Sequence, residues 1–505
     1  MLKIEDKLPM SPYYELYDML VPKDNKYRRF DELVDFTFVR DELIGKYCPD
    51  NGRNAIDPVI LFKYLVIKME EDLSDADLVE RSMTDLSLKR FLGYMPEDRV
   101  IDSSTLTRFR RERLKDVELL NLLLSKTVAI AAARGILKSK TLIVDGTHTS
   151  TKYRILSPYE ALCKRCKELV KRATELKPSA ASAFPELEVP QKPKEAISYC
   201  KVFVEKVREQ LVDIEAALPG VLDKQLNNLN ETIDDIEDHF YTSEDRDARV
   251  GHKTRHDSFG GYKTIIGMLD ERIVASAVIL SGEQGEGRSL EEVVEQSRKN
   301  GAEVKRVIGD AAYSGKDNYA LAEDNFELVS KQPALPQRMI EKFHEDGFEY
   351  NKDSDMIVCP AGHQAIEKKV TYPKNENGSQ KTAFYFDKKI CSVCKLKDTC
   401  IAVQRQDPRT IERGGTFREG SVKPRVEHSI SDFRMERMKI EETEDFKQKY
   451  KQRYKIEAKN GELKNNHHFN ETISKGYESM TLQTAVTFFV ANLNRIVKIE
   501  QEKAK

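Results

Sequence analysis

Short β-branched runs alternate with helical stretches along the middle of this chain, and that alternation limits its fold more than any other feature. TLIVDGTHT (141–149), GYKTIIGMLD (261–270), RIVASAVILSG (272–282) and KRVIGDAAYSG (305–315) are apolar runs of strand length that run into Asp or Gly. FELVSK (326–331) reads as a fifth strand, and SLEEVVEQSRKNG (289–301) as a helix between the third and fourth. Strands interleaved with helices predict an α/β sheet flanked by helices.

At 505 residues the chain is too long for one ordinary domain, and two to four are expected. Residues 1–135 read as an all-α domain. IDPVILFKYLVIKMEE carries apolar residues at helical spacing behind Pro58, and LSDADLVERSMTDLSLKRFLGY offers Ser74 or Asp75 as N-caps and Gly93 as a stop. The sheet region spans 136–336 and is interrupted by an insertion at 155–242. There Cys200, Val204, Val207, Leu211, Ile214 and Leu218, then Leu222, Leu226, Leu229, Ile233, Ile236 and Phe240, form two apolar seams either side of Pro219-Gly220. They predict an antiparallel helical hairpin and need no chemistry to explain them. A loop-rich, Cys-containing insertion follows at 337–440, and residues 441–505 return to helix.

Composition excludes several classes. Hydrophobic residues make up 39% and charged residues 33%, as in a soluble globular chain. No apolar run approaches the roughly eighteen residues of a spanning helix, so no membrane association is expected. The first twenty residues are charged early and lack an apolar core, which predicts a cytoplasmic protein. Eight cysteines without a secretory signal argue against a disulfide framework and leave metal binding open.

The net charge of −2 rules out a polycationic coat but conceals two basic segments. TLTRFRRERLK (105–115) contains Arg108, Arg110, Arg111 and Arg113, behind a helix start at Asp102-Ser103-Ser104. It fits a helix-turn-helix-like DNA-binding module, or equally a helical bundle with a solvated basic face. KQKYKQRYKIEAKNGELK (447–464) is the second.

Candidate catalytic groups come from strand ends and from that second segment. Asp145 closes the first strand and Asp310 the fourth, at the sheet edge where ligands of open α/β folds gather, although a lone Asp there is more often a turn former. Tyr450, Arg453, Glu457 and Lys464 have the spacing Y-(2)-R-(3)-E-(6)-K and, at about 100° per residue, fall on one helix face. The plain reading is an i,i+4 Arg–Glu pair on a solvated helix. The chemical reading is a metal-binding carboxylate flanked by cations that grip phosphates.

Together, LIVDGTHT, VIGDAAYSG and the Tyr450/Arg453/Glu457/Lys464 helix resemble the signature of bacterial insertion-sequence DDE transposases. The IDPVILFKYLVIK…DSSTLTRFRRERL region resembles the N-terminal domain of that group, and NLNRIVKI its closing helix. The resemblance implies an RNase H-like mixed sheet in which Asp145, Asp310 and Glu457 bind two Mg2+ ions, or Mn2+. Such ions activate a water or DNA 3′-OH and stabilise the leaving oxygen. It implies Tyr450, Arg453 and Lys464 as DNA contacts, with Arg108, Arg110, Arg111 and Arg113 holding phosphates. Lys253 and Tyr262, on the approach to the second strand, are further candidates. The implied partners are double-stranded DNA, as terminal inverted repeats and target, and a second copy of the chain. Its place is the nucleoid when bound to DNA.

Other readings compete. A haloacid-dehalogenase-type phosphohydrolase needs a nucleophilic Asp two residues before Asp145, and that position is Ile143. A transposase-derived DNA-binding protein without catalysis is the non-enzyme alternative. Separately, Cys391-x2-Cys394 has zinc-knuckle spacing, and Cys359 with Cys400 or His363 would complete a tetrahedral Zn2+ site. Cys163-x2-Cys166 reads as a helix-face coincidence.

Overall fold

A computed structural model describes residues 11–48, 54–184, 186–217, 220–237, 243–252, 258–333, 347–351, 354, 356–371, 380–397, 400–404, 424–430 and 432–504. Lys253, Leu218, Pro219 and Phe240 lie outside the described residues. The chain divides into two compact units. The first contains residues 1–307, 321–327 and 453–505, and the second 308–320 and 328–452.

The sheet is built on β1 (Thr141–Ser150), β2 (Arg249–His252), β3 (Ser258–Leu269), β4 (Val274–Ser281), β5 (Arg306–Gly309) and β6 (Glu327–Ser330). All five runs expected from the sequence are strands, and β2 is an addition whose four residues are too few to show a period. The order is β2-β3-β1-β5-β6, with β4 also paired to β3. β3 lies antiparallel to β1, β2 and β4, and Asp145 stands opposite Ile266. The division between units passes through β5 after Val307 and through β6 after Glu327. Backbones approach closely near the β1–β3 end: a Cβ on Gly261 would stand 2.1 Å from the Thr149 carbonyl oxygen, so only glycine fits.

Two long helices cover strands of this sheet. The Leu290–Lys299 helix packs on β3 and β4, where the Ser276 and Ser297 hydroxyls are 2.7 Å apart. The C-terminal Tyr477–Ala504 helix packs on β4 and on the N-terminal helices Pro58–Glu71 and Leu119–Ala133. Phe489 meets Phe36 and Phe62 at ring separations of 6.3 and 6.0 Å. Asn492 bridges the Thr127 hydroxyl and the backbone of Val274, so a buried amide ties helix to strand. Deleting the buried Phe489 ring would cost about 3–5 kcal/mol, because it fills space against Phe36 and Phe62.

The N-terminal caps follow the sequence. The Ser74 hydroxyl accepts from Asp77 N–H, Asp85 breaks the run and caps a second helix (Leu86–Leu92), and Gly93 ends it at φ 80°. The 155–242 insertion contains three main helices, as its three helical stretches either side of the 178–193 linker and its two seams lead one to expect. Its helices Pro158–Leu176, Pro193–Glu209 and Asp223–Glu237 share one core, and the first packs against both others. Leu162, Cys166, Leu169 and Ala173 give that first helix its own apolar seam, which joins the two expected ones. Cys166 Sγ lies 3.6 Å from Cys200 Sγ inside this core, a packing role consistent with its plain reading.

In the second unit, strands 367–371, 380–385 and 425–430 form an antiparallel sheet with 380–385 central. Strands 349–351 and 356–358 pair as a hairpin. Among the described residues, a cluster of seven buried side chains, Phe348, Ile357, Phe384 and Phe386 among them, forms core in this unit.

Candidate active site

Asp145 is only 8% exposed, a costly place for a carboxylate unless each oxygen has a partner. Both do. Arg453 Nη2 donates to Oδ1 at 3.0 Å and Asn460 Nδ2 to Oδ2 at 3.0 Å. Arg453 Nη1 donates to Glu457 Oε1 at 2.5 Å, so one guanidinium joins two carboxylates from opposite ends of the sequence. Glu457 keeps a side chain 59% exposed, open to a ligand from solvent.

The Tyr454–Asn466 helix sets these positions. Glu457 occupies its first turn, where the helix dipole favours a negative charge, and Asn460 follows one turn later on the same face. The opposite face anchors the helix through buried Ile456, Leu463 and Lys459. Lys459 is fully buried and donates to Glu462 Oε1 at 2.8 Å, and Arg272 pairs with the same carboxylate at 3.0 Å. Burial pushes the Lys459 amine below its ordinary range. Burial also opposes ionisation of Glu462, but Lys459 and Arg272 outweigh it and hold that carboxyl low.

The expected continuous helix from Tyr450 to Lys464 is interrupted. The preceding helix ends at Lys451, and Arg453 is the N-cap of the next. Gln452 N–H bonds the Lys449 carbonyl and Ile456 N–H the Arg453 carbonyl, both i−3 bonds that tighten the chain into a 3₁₀-like turn. The one-face argument therefore holds for Glu457 and Lys464 within the second helix, and Arg453 meets Glu457 from the turn. Tyr450 belongs to the second unit, stacked on Phe446 at 5.7 Å with the Lys331 ammonium 4.6 Å from its ring centre. Lys464 is half-buried, two turns beyond Glu457.

Asp310 is also in the second unit. Its side chain caps a short 3₁₀ turn by accepting from Ala312 N–H at 2.9 Å, and its carbonyl accepts from the Ser330 hydroxyl. Tyr262 is a correction to the sequence reading. Its ring is fully buried and its hydroxyl donates to Asp245 at 3.1 Å, because its place on β3 turns it into the core, where no surface is left for a DNA contact.

The four arginines of the basic segment separate into two kinds. Arg110 is tied to Asp75, and Arg113 donates to the Lys46 carbonyl and lies 4.6 Å from the Tyr47 ring centre. Arg108 is exposed, and Arg111 is 77% exposed beside Glu112.

Two residues near β1 escaped the sequence reading. Asn460 carries no motif, and only its i+3 spacing from Glu457 hinted at a shared face. The Glu286 carboxylate lies against Gly146, where an added Cβ would stand 2.7 Å from it, so the glycine after Asp145 makes room for a further acid. Among the described residues, no three carboxylate, imidazole or thiol groups are gathered to hold an ion as they stand. The donor chemistry of Asp145 and Glu457 nonetheless suits a hard divalent cation, since both offer carboxylate oxygens already drawn to one shared positive charge.

No helix among the described residues is long and apolar enough to cross a membrane. No curated protein and no solved structure matches the chain. Two family matches do. Residues 15–112, which include the basic helix, match a family described as Transposase domain (DUF772). Residues 358–497, which include Arg453, Glu457 and Asn460, match the Transposase DDE domain. With a transposase domain matched toward each end of a mixed α/β architecture, the two matches support an insertion-sequence DDE transposase.

Proposed function

We propose that this transposase binds the ends of an insertion sequence and catalyses metal-dependent DNA strand cleavage and strand transfer. The observation that carries the reading is the Asp145–Arg453–Glu457 link, which brings a strand-end carboxylate and a helix carboxylate together inside the first unit. The sheet order supports an RNase H-like core: three antiparallel strands, β4, β3 and β1, are followed outward by β5 and β6.

On this reading Asp145, Asp310 and Glu457 hold two Mg2+ ions, or Mn2+. When bound, these supply Lewis-acid activation of the attacking oxygen and charge stabilisation at the leaving one. The chain's own groups prepare the site. Asn460 fixes the rotation of the Asp145 carboxylate, and Arg453 keeps two acids close that would otherwise repel. Once DNA enters, Arg453 and Lys464 hold its phosphate backbone and Tyr450 packs along it. Residues 1–135 bind the terminal inverted repeats, with Arg108 and Arg111 as the phosphate contacts and Arg110 and Arg113 as supports for their helix. A homodimer would hold two ends together, in the cytoplasm at the nucleoid.

The test is incubation of the purified chain with a duplex covering the DNA that flanks its gene, with Mg2+ and with chelator. Site-specific nicks that appear only with metal are expected. Tight binding without any cleavage would leave the DNA-binding role and remove the catalytic one.

A further inference from the structure

The second unit gathers Cys359, Cys391, Cys394 and Cys400 around one cavity of about 270 Å³, closed on its apolar side by Phe348 and Phe386. All four are free thiols, half-buried, and three of them pack against the seven-residue core. The loops carrying them have the turns of a metal knuckle. Gly362 N–H bonds the Cys359 carbonyl at 2.8 Å, Cys394 N–H the Cys391 carbonyl, and Leu396 N–H points at Cys394 Sγ at 3.4 Å.

We propose that these four cysteines bind one structural Zn2+ as thiolates and that the ion fixes the fold of the 347–404 module. Metal binding by a loop-rich module contributes folding free energy, because the site forms only when the loops are in place. A purely apolar role does not explain why four thiols share one cavity. Four thiolates that would repel one another become favourable neighbours around a dication. His363 lines the cavity but is exposed, whereas Cys400 is half-buried and packs against the core, so Cys400 is taken as the fourth ligand. As they stand the thiols are not gathered at ligand distance, and ligation requires their side chains to turn inward across the cavity. Each ligating thiol releases its proton to solvent, so four protons leave per ion and no redox change occurs.

This site is independent of the catalytic reading, and its test needs no DNA. Elemental analysis of the full-length protein should find about one zinc per chain. Co2+ added to the reduced, metal-stripped chain should give thiolate-to-cobalt charge-transfer bands, with affinity rising with pH. Cys400→Ser and the pair Cys391→Ser/Cys394→Ser should lose at least about tenfold in Co2+ affinity, whereas His363→Ala and Cys163→Ser keep it. Absence of both zinc and cobalt bands in the wild-type chain overturns the proposal even if the serine variants fail to fold. Loss of metal in His363→Ala with retention in Cys400→Ser would overturn the ligand set.

Discussion

Arg453 Nη2 stands 3.0 Å from Asp145 Oδ1, although 308 residues separate them in the chain. The other arm of the same guanidinium holds Glu457, so a cation sits between two acids whose proposed task is to hold cations. In the absence of metal this arrangement relieves carboxylate repulsion and positions both groups.

Arg453→Lys keeps the charge but loses the planar fork that reaches both acids. Cleavage should fall by about tenfold or more, while the thermal midpoint moves by only a few degrees, because Asp145 retains Asn460. Thermal melts and cleavage rates on the same preparation check this. Wild-type cleavage in the lysine variant would mean that the bridge is a surface ion pair.

Asn460→Ala should strip one donor from a buried carboxylate at a cost of about 1–3 kcal/mol. The accompanying loss of cleavage should be partly recovered by raised Mg2+ or Mn2+, since a loosened ligand weakens metal binding. Asn460→Asp, which sets a third acid beside Asp145, should be worse than alanine in stability without metal. Equal metal dependence in wild type and Asn460→Ala would confine the residue to a structural role.

The basic helix makes a sharper prediction than its charge count. Neutralising Arg108 and Arg111 together should weaken DNA binding and reduce the log–log salt slope by nearly two, leaving stability unchanged. Arg110→Ala should act differently. It frees Asp75, whose burial is outweighed by Arg110 and Lys68, and should destabilise the fold with little direct effect on the slope. Binding titrations across salt concentrations, read beside melts, separate the two classes.

Glu462→Gln leaves buried Lys459 without its carboxylate and should cost about 3 kcal/mol at neutral pH. The Glu462 carboxyl is held below its ordinary value, so its contribution is present above the usual glutamate range and fades as pH falls through the lowered value. The stability gap between wild type and variant should therefore narrow on acidification. A gap that stays constant down to strongly acidic pH would show that Glu462 is not the group that matters.

Periodicity made the strands legible, because β1 and β3 to β6 are each written as a compact apolar run. The spacing of Arg453 and Glu457 likewise disclosed a pair that the fold brings onto Asp145. What the sequence concealed depends on contacts between distant segments. Nothing local marks Asn460 as a partner of Asp145, nor Gly146 as the gap that admits Glu286. The Gln452–Arg453 turn was hidden because every residue from Glu444 to Asn466 is compatible with helix, and only tertiary attachment of Arg453 to β1 accompanies the break. Tyr262 misled for the opposite reason: a polar atom on a β-strand looks outward until Asp245 is found behind it.

Cleavage and binding measured together for Asp145→Asn, Asp310→Asn and Glu457→Gln test the central claim most directly. Each change keeps the size of the side chain and removes the negative charge proposed to hold metal. The account predicts that all three bind end-containing DNA like wild type while Mg2+-dependent cleavage falls by at least about a hundredfold. Wild-type cleavage in any one of them would contradict it and remove that carboxylate from the site.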